Sequence, residues 1–238
     1  MAIDHAMFDL AEETGALVWR LYRWDPFCLS FGRHEPAARR YDRAKIQALH
    51  LDTVRRPTGG RAVWHARELT YAVAAPAGPL GSLRAAYRAI HETLATAVRQ
   101  LGSRATLASD RPVQGIGSGA CFAAPVGGEV VVNSKKVIGS AQLRGQTALL
   151  QHGSLLLEDD QSLVRSLQIG LNLQESSEAT LSALAERPIH FDEAAAAVAG
   201  AVAATGLGPI DPQGPNEVLR RARLHYDTYQ SEQWTWER

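Results

Sequence analysis

The stretch CFAAPVGGEVVVNSKKVIGSAQLRGQTALLQHGS, from Cys121 to Ser154, decides the fold of this chain. Segments rich in β-branched residues alternate here with turn segments such as Asn133-Ser134 and Arg144-Gly145. Such alternation is typical of strands joined by short turns. It predicts an antiparallel meander of three strands, over residues 128–132, 136–143 and 148–157.

Two residues of this stretch can carry chemistry, the thiol of Cys121 and the amine of Lys136. A free thiol has a pKa of about 8.5, and a neighbouring ammonium favours the reactive thiolate. Periodicity alone equally allows a loop thiol and an exposed strand lysine. Because side chains alternate across a strand, Lys135 is predicted to face the opposite side and to be solvated.

Small residues follow Lys136 in the same predicted strand, at Gly139, Ser140 and Ala141. Small side chains weaken a strand unless a ligand or another backbone lies close to its face. A bound acyl chain is one such ligand.

Upstream, the segment RRPTGGRAVWH covers residues 55–65. Adjacent glycines permit a positive φ and let a ligand approach the backbone, while the flanking arginines could hold an anion. A hairpin turn with solvated arginines explains the same pattern. For His65, both a hydrogen-bonded structural role and a role as catalytic base are open.

Outside these motifs the chain shows ordinary core patterns. Residues 17–24 and 28–31 are predicted to be paired strands, with Cys28 as a small core residue. A long amphipathic helix is predicted between a capping Ser82 and Gly102.

Composition limits the classes of function. The 25 lysines and arginines equal the 25 aspartates and glutamates, so no global positive field favours a nucleic-acid partner. The two cysteines form neither a disulfide framework nor a metal-ligand cluster. The acidic N-terminus does not resemble a signal peptide, and no apolar run reaches the ~18 residues of a membrane span. We therefore expect a soluble, cytoplasmic protein without a metal site.

Four separated motifs, RRPTGGRAVWH, ELTY, KKVIGSAQ and LLQHGSLLL, resemble in order and spacing the family of lipoate and octanoate protein ligases and octanoyltransferases, which is related to biotin protein ligases. The segments MAIDHAM, RLYRWDPFCLSFGR and SEQWTWER extend the resemblance over nearly the whole chain. It implies an α+β fold, in which a central mixed or antiparallel sheet is flanked by helices. Residues 1–238 would form a single catalytic domain without a C-terminal accessory domain.

The resemblance also implies a pocket for an octanoyl or lipoyl chain, with Cys121 and Lys136 as catalytic residues. Ten further residues would bind the substrate: Arg56, Thr58, Gly59, Gly60, His65, Gly139, Ser140, Ala141, His152 and Gly153.

Family resemblance leaves three activities open. An octanoyltransferase would need no cofactor and would move the acyl group through Cys121, from octanoyl-acyl carrier protein or an octanoylated lipoyl protein. Its acceptor would be a lysine of a lipoyl-domain protein, such as the glycine cleavage H protein or a dehydrogenase E2 subunit. A ligase would need ATP and Mg²⁺, and its accessory domain can be a separate subunit. A non-catalytic lipoyl-domain-binding module is the third. A cysteine 15 residues ahead of Lys136 favours the transferase.

Overall fold

The computed structural model describes residues 1–78, 81–109, 127–170, 177–206 and 214–237. Within these ranges, no helix is long and apolar enough to cross a membrane. The described elements run in chain order as α1 (Ala2–Thr14), β1 (Val18–Tyr22), β2 (Cys28–Phe31), α2 (Ala37–Arg40), α3 (Arg43–Ala48), β3 (Asp52–Arg55), β4 (Val63–His65), β5 (Glu68–Pro76), α4 (Leu83–Gln100), β6 (Ala105–Leu107), β7 (Val130–Val132), β8 (Lys135–Lys136), β9 (Ile138–Arg144), β10 (Ala148–Leu156), α5 (Ser162–Ser166), α6 (Leu181–Ala185), α7 (Phe191–Ala204), α8 (Gly214–Ala222), a 3-10 turn (Arg223–His225), α9 (Tyr226–Gln230) and α10 (Glu232–Trp236).

A four-stranded antiparallel sheet in the order β1-β5-β10-β9 forms the centre of the fold. Successive side chains of a strand point to opposite faces of a sheet. On one face, Ala72 and Leu150 pack in the cluster that contains α1. On the other face, Tyr71 and Leu149 pack in the cluster that contains α4. Because both faces are covered, β5 is almost continuously buried and shows no polar alternation.

The helix predicted after Ser82 is confirmed as α4. The Ser82 hydroxyl accepts a hydrogen bond from the Ala85 amide at 3.1 Å, which satisfies one of the free amides of the first turn. The helix ends at Gln100, and Gly102 adopts a left-handed φ of 91° just beyond it. Capping and periodicity are local signals, so the sequence was sufficient to place this helix.

A second sheet has the order β3-β2-β4, with β2 parallel to β3 and antiparallel to β4. The predicted pairing of residues 17–24 with residues 28–31 is wrong, because β1 pairs with β5 instead. The hairpin interpretation of residues 55–65 is also wrong, since β2 lies between β3 and β4. The predicted α+β fold with mixed sheets is confirmed.

The predicted three-stranded meander is divided between two sheets. β7 pairs with β6 and β8 in a small third sheet, whereas β9 and β10 belong to the central sheet. The break falls at Val137, whose amide bonds Val130 in the small sheet while its carbonyl accepts from the Leu156 amide. Val137 and Ile138 are adjacent apolar residues that are both buried, and they read as one continuous strand, so the sequence did not indicate the change of partner.

Candidate active site

A cleft of about 340 Å³, including the part open to solvent, lies between the central sheet and the β3-β2-β4 sheet. The cleft brings together the RRPTGGRAVWH and KKVIGSAQ motifs, which are far apart in the chain. Seven predicted site residues line it, namely Arg56, His65, Gly139, Ser140, Ala141, His152 and Gly153, together with Met1, Tyr22, Val63, Thr70 and Ser154.

Arg56 shapes the turn beside the cleft instead of presenting a solvated guanidinium. It is buried, and its Nη2 donates to the carbonyls of Gly59 and Arg61 at 3.2 and 2.7 Å. Its Nη1 donates to the Ser30 hydroxyl at 2.6 Å. Gly60 has a φ of 95°, a left-handed conformation that favours glycine. The hydrogen bonds of Arg56 therefore fix the backbone of the predicted substrate-binding turn.

Thr58 does not line the cleft directly but orients His152, which does. The His152 ring lies 2.6 Å from the Thr58 hydroxyl through Nε2 and 3.0 Å from Asp4 through Nδ1. Burial lowers the pKa of His152. The neutral ring then donates a hydrogen bond from Nδ1–H to the Asp4 carboxylate. Its Nε2 accepts a hydrogen bond from the Thr58 hydroxyl. Asp4 fixes this arrangement from α1.

Asp4 stays ionised although it is fully buried. Burial by itself would raise the pKa of Asp4, but the hydrogen bond with His152 and nearby positive charges hold that pKa well below its usual range. Arg20 donates to Asp4 at 2.6 Å and Tyr22 donates at 2.9 Å. Asp4 therefore supports the cleft from α1. It lies in the MAIDHAM segment, but sequence reasoning gave it no role.

His65, on β4 in the second sheet, is held by hydrogen bonds at both ring nitrogens, as His152 is. Its Nδ1 lies 2.6 Å from Glu68, and its Nε2 lies 2.6 Å from the Ser30 hydroxyl. Glu68 also accepts from Ser154 at 3.0 Å, and the indole of Trp24 stacks on the imidazole at a centroid distance of 4.6 Å. These contacts hold His65 in a hydrogen-bonded network at the edge of the cleft, and its role in substrate binding stays a prediction.

A third buried histidine, His91 on α4, was not predicted. Its Nδ1 lies 2.7 Å from the Gly128 carbonyl, and its Nε2 lies 2.8 Å from the Ser140 hydroxyl. The Tyr71 hydroxyl lies 2.6 Å from the same Ser140 oxygen. Ser140 is therefore held from behind by α4 and β5. The sequence feature that could have indicated His91 is a histidine within the apolar face of a predicted helix.

His91 should make stability depend on pH. Burial is the main cause that lowers the pKa of His91 from 6.5 to about 4. Between these values the unfolded chain binds a proton that the folded chain excludes, so stability is lost as the pH falls from about 6.5 to 4. The gap of about 2.5 corresponds to a loss of about 3 kcal/mol.

Urea unfolding between pH 7 and pH 4 measures this loss. His91→Gln keeps a hydrogen-bonding side chain and should show a shallower pH dependence than the wild type. Equal slopes for the two proteins would contradict the assignment to His91.

Lys136 is buried behind the cleft, not among the residues that line it. Its Nζ lies 2.6 Å from the Glu129 carboxylate, and both side chains are at least 95% buried. Lys135 is exposed, so the prediction that the two lysines face opposite sides is confirmed. Lys136 comes three residues before Gly139, whose strand forms one wall of the cleft. Glu129 was not anticipated as its partner.

The structure describes Cys28 but not Cys121. Cys121 lies outside the described residues, so its role stays a prediction. Cys28 is buried in β2, and burial raises the pKa of its thiol to about 12. Its burial confirms the prediction of Cys28 as a core residue. A thiol with such a pKa stays protonated at neutral pH.

Comparison with known proteins identifies the family. The family model of the lipoyl protein ligase A/B catalytic domain matches residues 1–203. Octanoyltransferase LipM from Kyrpidia tusciae is 42% identical over 172 residues, which are 67% of this chain but only 62% of that protein. Octanoyltransferase LipM from Brevibacillus brevis is 37% identical, with 81% of this chain and 77% of that protein covered. Octanoyltransferase LipM from Exiguobacterium sp. is 34% identical, with 100% of this chain and 93% of that protein covered.

Solved structures agree on the fold. A crystal structure of lipoate-protein ligase A bound with ATP superposes with a TM-score of 0.79 at 20% identity, covering 98% of this chain and 91% of that one. A bi-partite lipoate protein ligase from Thermoplasma acidophilum gives a TM-score of 0.72 at 20% identity, covering 99% of this chain and 89% of that one. The resemblance drawn from the motifs is confirmed, and the chain belongs to the family of lipoyl protein ligase A/B catalytic domains.

Proposed function

We propose that this protein is an octanoyltransferase that acts in protein lipoylation. The observation that carries the proposal is the identity of 34–42% to relatives named octanoyltransferase LipM, one of which aligns with the whole chain. The lipoate-protein ligases among the solved structures share the fold at only 20% identity, so they do not carry the ATP-dependent reaction to this chain.

In the proposed reaction, the Cys121 thiolate attacks the carbonyl carbon of an octanoyl thioester. The carbon–sulfur bond to the donor breaks, the donor leaves as a thiol after taking up a proton, and an octanoyl-Cys121 thioester forms. The amine of a lysine on a lipoyl domain then attacks this carbonyl, loses a proton and becomes an amide. Cys121 is released, so no ATP is consumed.

The arrangement of the cleft supports this reaction. One wall consists of the small residues Gly139, Ser140 and Ala141, which are suited to a ligand that lies close to the sheet. Lys136 does not line the cleft; the role proposed for its ammonium, to orient the acyl carbonyl, rests on the family resemblance, and Glu129 holds this side chain in place. Arg56 fixes the turn of the opposite wall through the Gly59 carbonyl, and Thr58 holds His152, which is paired with Ala141 in the central sheet. We assign the octanoyl chain to this cleft.

A transfer assay without ATP tests the proposal. The protein is mixed with octanoyl-acyl carrier protein and an apo lipoyl domain, and mass spectrometry follows the octanoyl mass on the enzyme and on the acceptor. We expect both masses to appear. Cys121→Ala should abolish both and lower the rate by at least about 10³-fold, because the nucleophile is missing. A second reaction with an octanoylated lipoyl protein identifies the donor.

Cys28→Ala is the matched control. Its thiol is buried and protonated, so removing it should leave the acyl-enzyme and the transfer rate essentially unchanged. Transfer of free octanoate or lipoate that requires ATP and survives Cys121→Ala would instead establish a ligase. Binding of the lipoyl domain without transfer under either condition would establish a non-catalytic module.

A further inference from the structure

A cluster of three side chains lies outside the cleft, between α1 and the 3-10 turn. His5 and Asp9 are one helical turn apart on α1, and His225 reaches them from the turn. One donor atom from each of the three residues lies within 4.8 Å of the other two. The side chains are 30%, 35% and 17% exposed, so an ion can enter from solvent without opening the core.

The two histidines lie at different distances from the Asp9 carboxylate. His225 Nε2 lies 2.6 Å from Asp9 Oδ2, which is an ordinary hydrogen bond. His5 Nε2 lies 3.8 Å from Asp9 Oδ1, which is too long for a hydrogen bond. Ligand bonds of about 2.0–2.2 Å place tetrahedral ligand atoms roughly 3.3–3.6 Å apart. One oxygen–nitrogen distance is shorter than this separation and the other is longer. A small rotation of the Asp9 carboxylate would bring both distances toward the separation that a bound ion needs.

The two imidazole rings lie face to face, so binding of one ion by both requires one ring to turn about its side-chain bonds. They stack with a centroid distance of 4.0 Å and an interplanar angle of 14°. His5 Nδ1 lies 3.1 Å from the Tyr229 hydroxyl, which orients the ring and leaves Nε2 facing Asp9. Metal-binding histidines commonly use their second nitrogen for such a hydrogen bond.

The cluster also has the chemistry of a divalent-cation site, with two imidazole nitrogens and one carboxylate. A neutral imidazole has a lone pair available for a metal without a competing proton. Asp9 supplies the negative charge that a divalent cation needs.

We propose that His5, Asp9 and His225 bind one divalent transition-metal ion of the zinc class and thereby join α1 to the 3-10 turn. Two imidazoles and one carboxylate suit zinc, whereas magnesium and calcium prefer oxygen ligands alone. The bound ion would strengthen the packing of α1, which also carries the Asp4 carboxylate that orients His152. The proposal does not depend on the acyl-transfer function.

Metal binding is measured on the full chain, without a polyhistidine tag and after treatment with a chelator. Isothermal titration with Zn²⁺ should show saturable binding of one ion per chain. At a hundredfold excess over the dissociation constant, the midpoint of thermal unfolding should rise by roughly 5–10 °C. Co²⁺ should give the visible absorption of a bound ion with nitrogen and oxygen ligands.

Conservative variants keep the test interpretable. His225→Gln retains a donor for Asp9, and Asp9→Asn retains an acceptor for His225, so both should fold like the wild type in chelator. Each should weaken Zn²⁺ binding at least roughly tenfold. His190→Ala removes a histidine that is 71% exposed and should change nothing.

Three results would overturn the proposal: no saturable Zn²⁺ binding, unchanged affinity in both variants, or binding that is lost in Cys121→Ala. The last result would identify the thiol as the ligand instead.

Discussion

Lys136→Met is expected to abolish octanoyl transfer and to lower the free energy of unfolding by about 3–5 kcal/mol. The substitution removes the ammonium 2.6 Å from Glu129 and leaves the buried carboxylate without this charge. Burying an ionised carboxylate without compensating charge is costly. Urea unfolding measures the stability, and the ATP-free transfer assay measures the activity.

The neighbouring lysine is the control for this experiment. Lys135 belongs to the same two-residue strand but is exposed, so Lys135→Met should change stability by no more than about 0.5 kcal/mol and leave transfer intact.

A double variant separates the structural from the chemical role of Lys136. Lys136→Met combined with Glu129→Gln removes both charges and should recover part of the lost stability. It should not recover transfer, because the proposed acyl carbonyl would still lack the ammonium. Recovery of transfer together with stability would show that Lys136 only supports the fold.

Gly32→Ala is expected to cost about 2–4 kcal/mol of stability and to impair substrate binding. A Cβ atom at this position would lie 2.0 Å from the carbonyl oxygen of Gly60 and 2.7 Å from its carbonyl carbon. Both contacts are with backbone, so the turn from Gly59 to Gly60 must move away from β2. Because Arg56 fixes this turn through the Gly59 carbonyl, its movement should also disturb the cleft.

Gly59→Ala is the matched substitution within the turn itself. A Cβ atom at Gly59 meets no atom within 4 Å, and no left-handed φ constrains this residue. Stability should therefore stay within about 0.5 kcal/mol of the wild type.

If the glycine lets the acyl chain approach the backbone, Gly59→Ala should raise KM at unchanged stability. Steady-state kinetics beside thermal unfolding checks both variants. A Gly32→Ala protein as stable as Gly59→Ala would contradict the close approach of β2 to the Gly60 carbonyl.

Local signals were read correctly from the sequence. The Ser82 cap and the apolar face of α4 depend on residues within one or two turns of each other. The opposite exposure of Lys135 and Lys136 follows from the alternation of a strand. The burial of Cys28 follows from its apolar neighbours. Each of these features needs no knowledge of distant segments.

The pairing of strands was predicted less well from the sequence. The segments of β1 and β2 are close in the chain, yet they enter different sheets. Residues 55–65 have the glycines of a hairpin, yet β2 separates the strands on either side of them. Hairpin signals describe the turn and not the partners, and a third strand can compete for the same edge.

Four motifs were enough to establish the family, the α+β class and most of the cleft, because they keep their order and spacing and carry the residues that line it. The packed fold was needed to find what holds those residues in place: Asp4 on His152, Glu129 on Lys136, and His91 on Ser140. These partners lie 148, 7 and 49 positions apart in the chain. Buried polar groups must find a hydrogen-bonding partner, but which distant residue meets that need depends on how the sheets and helices pack.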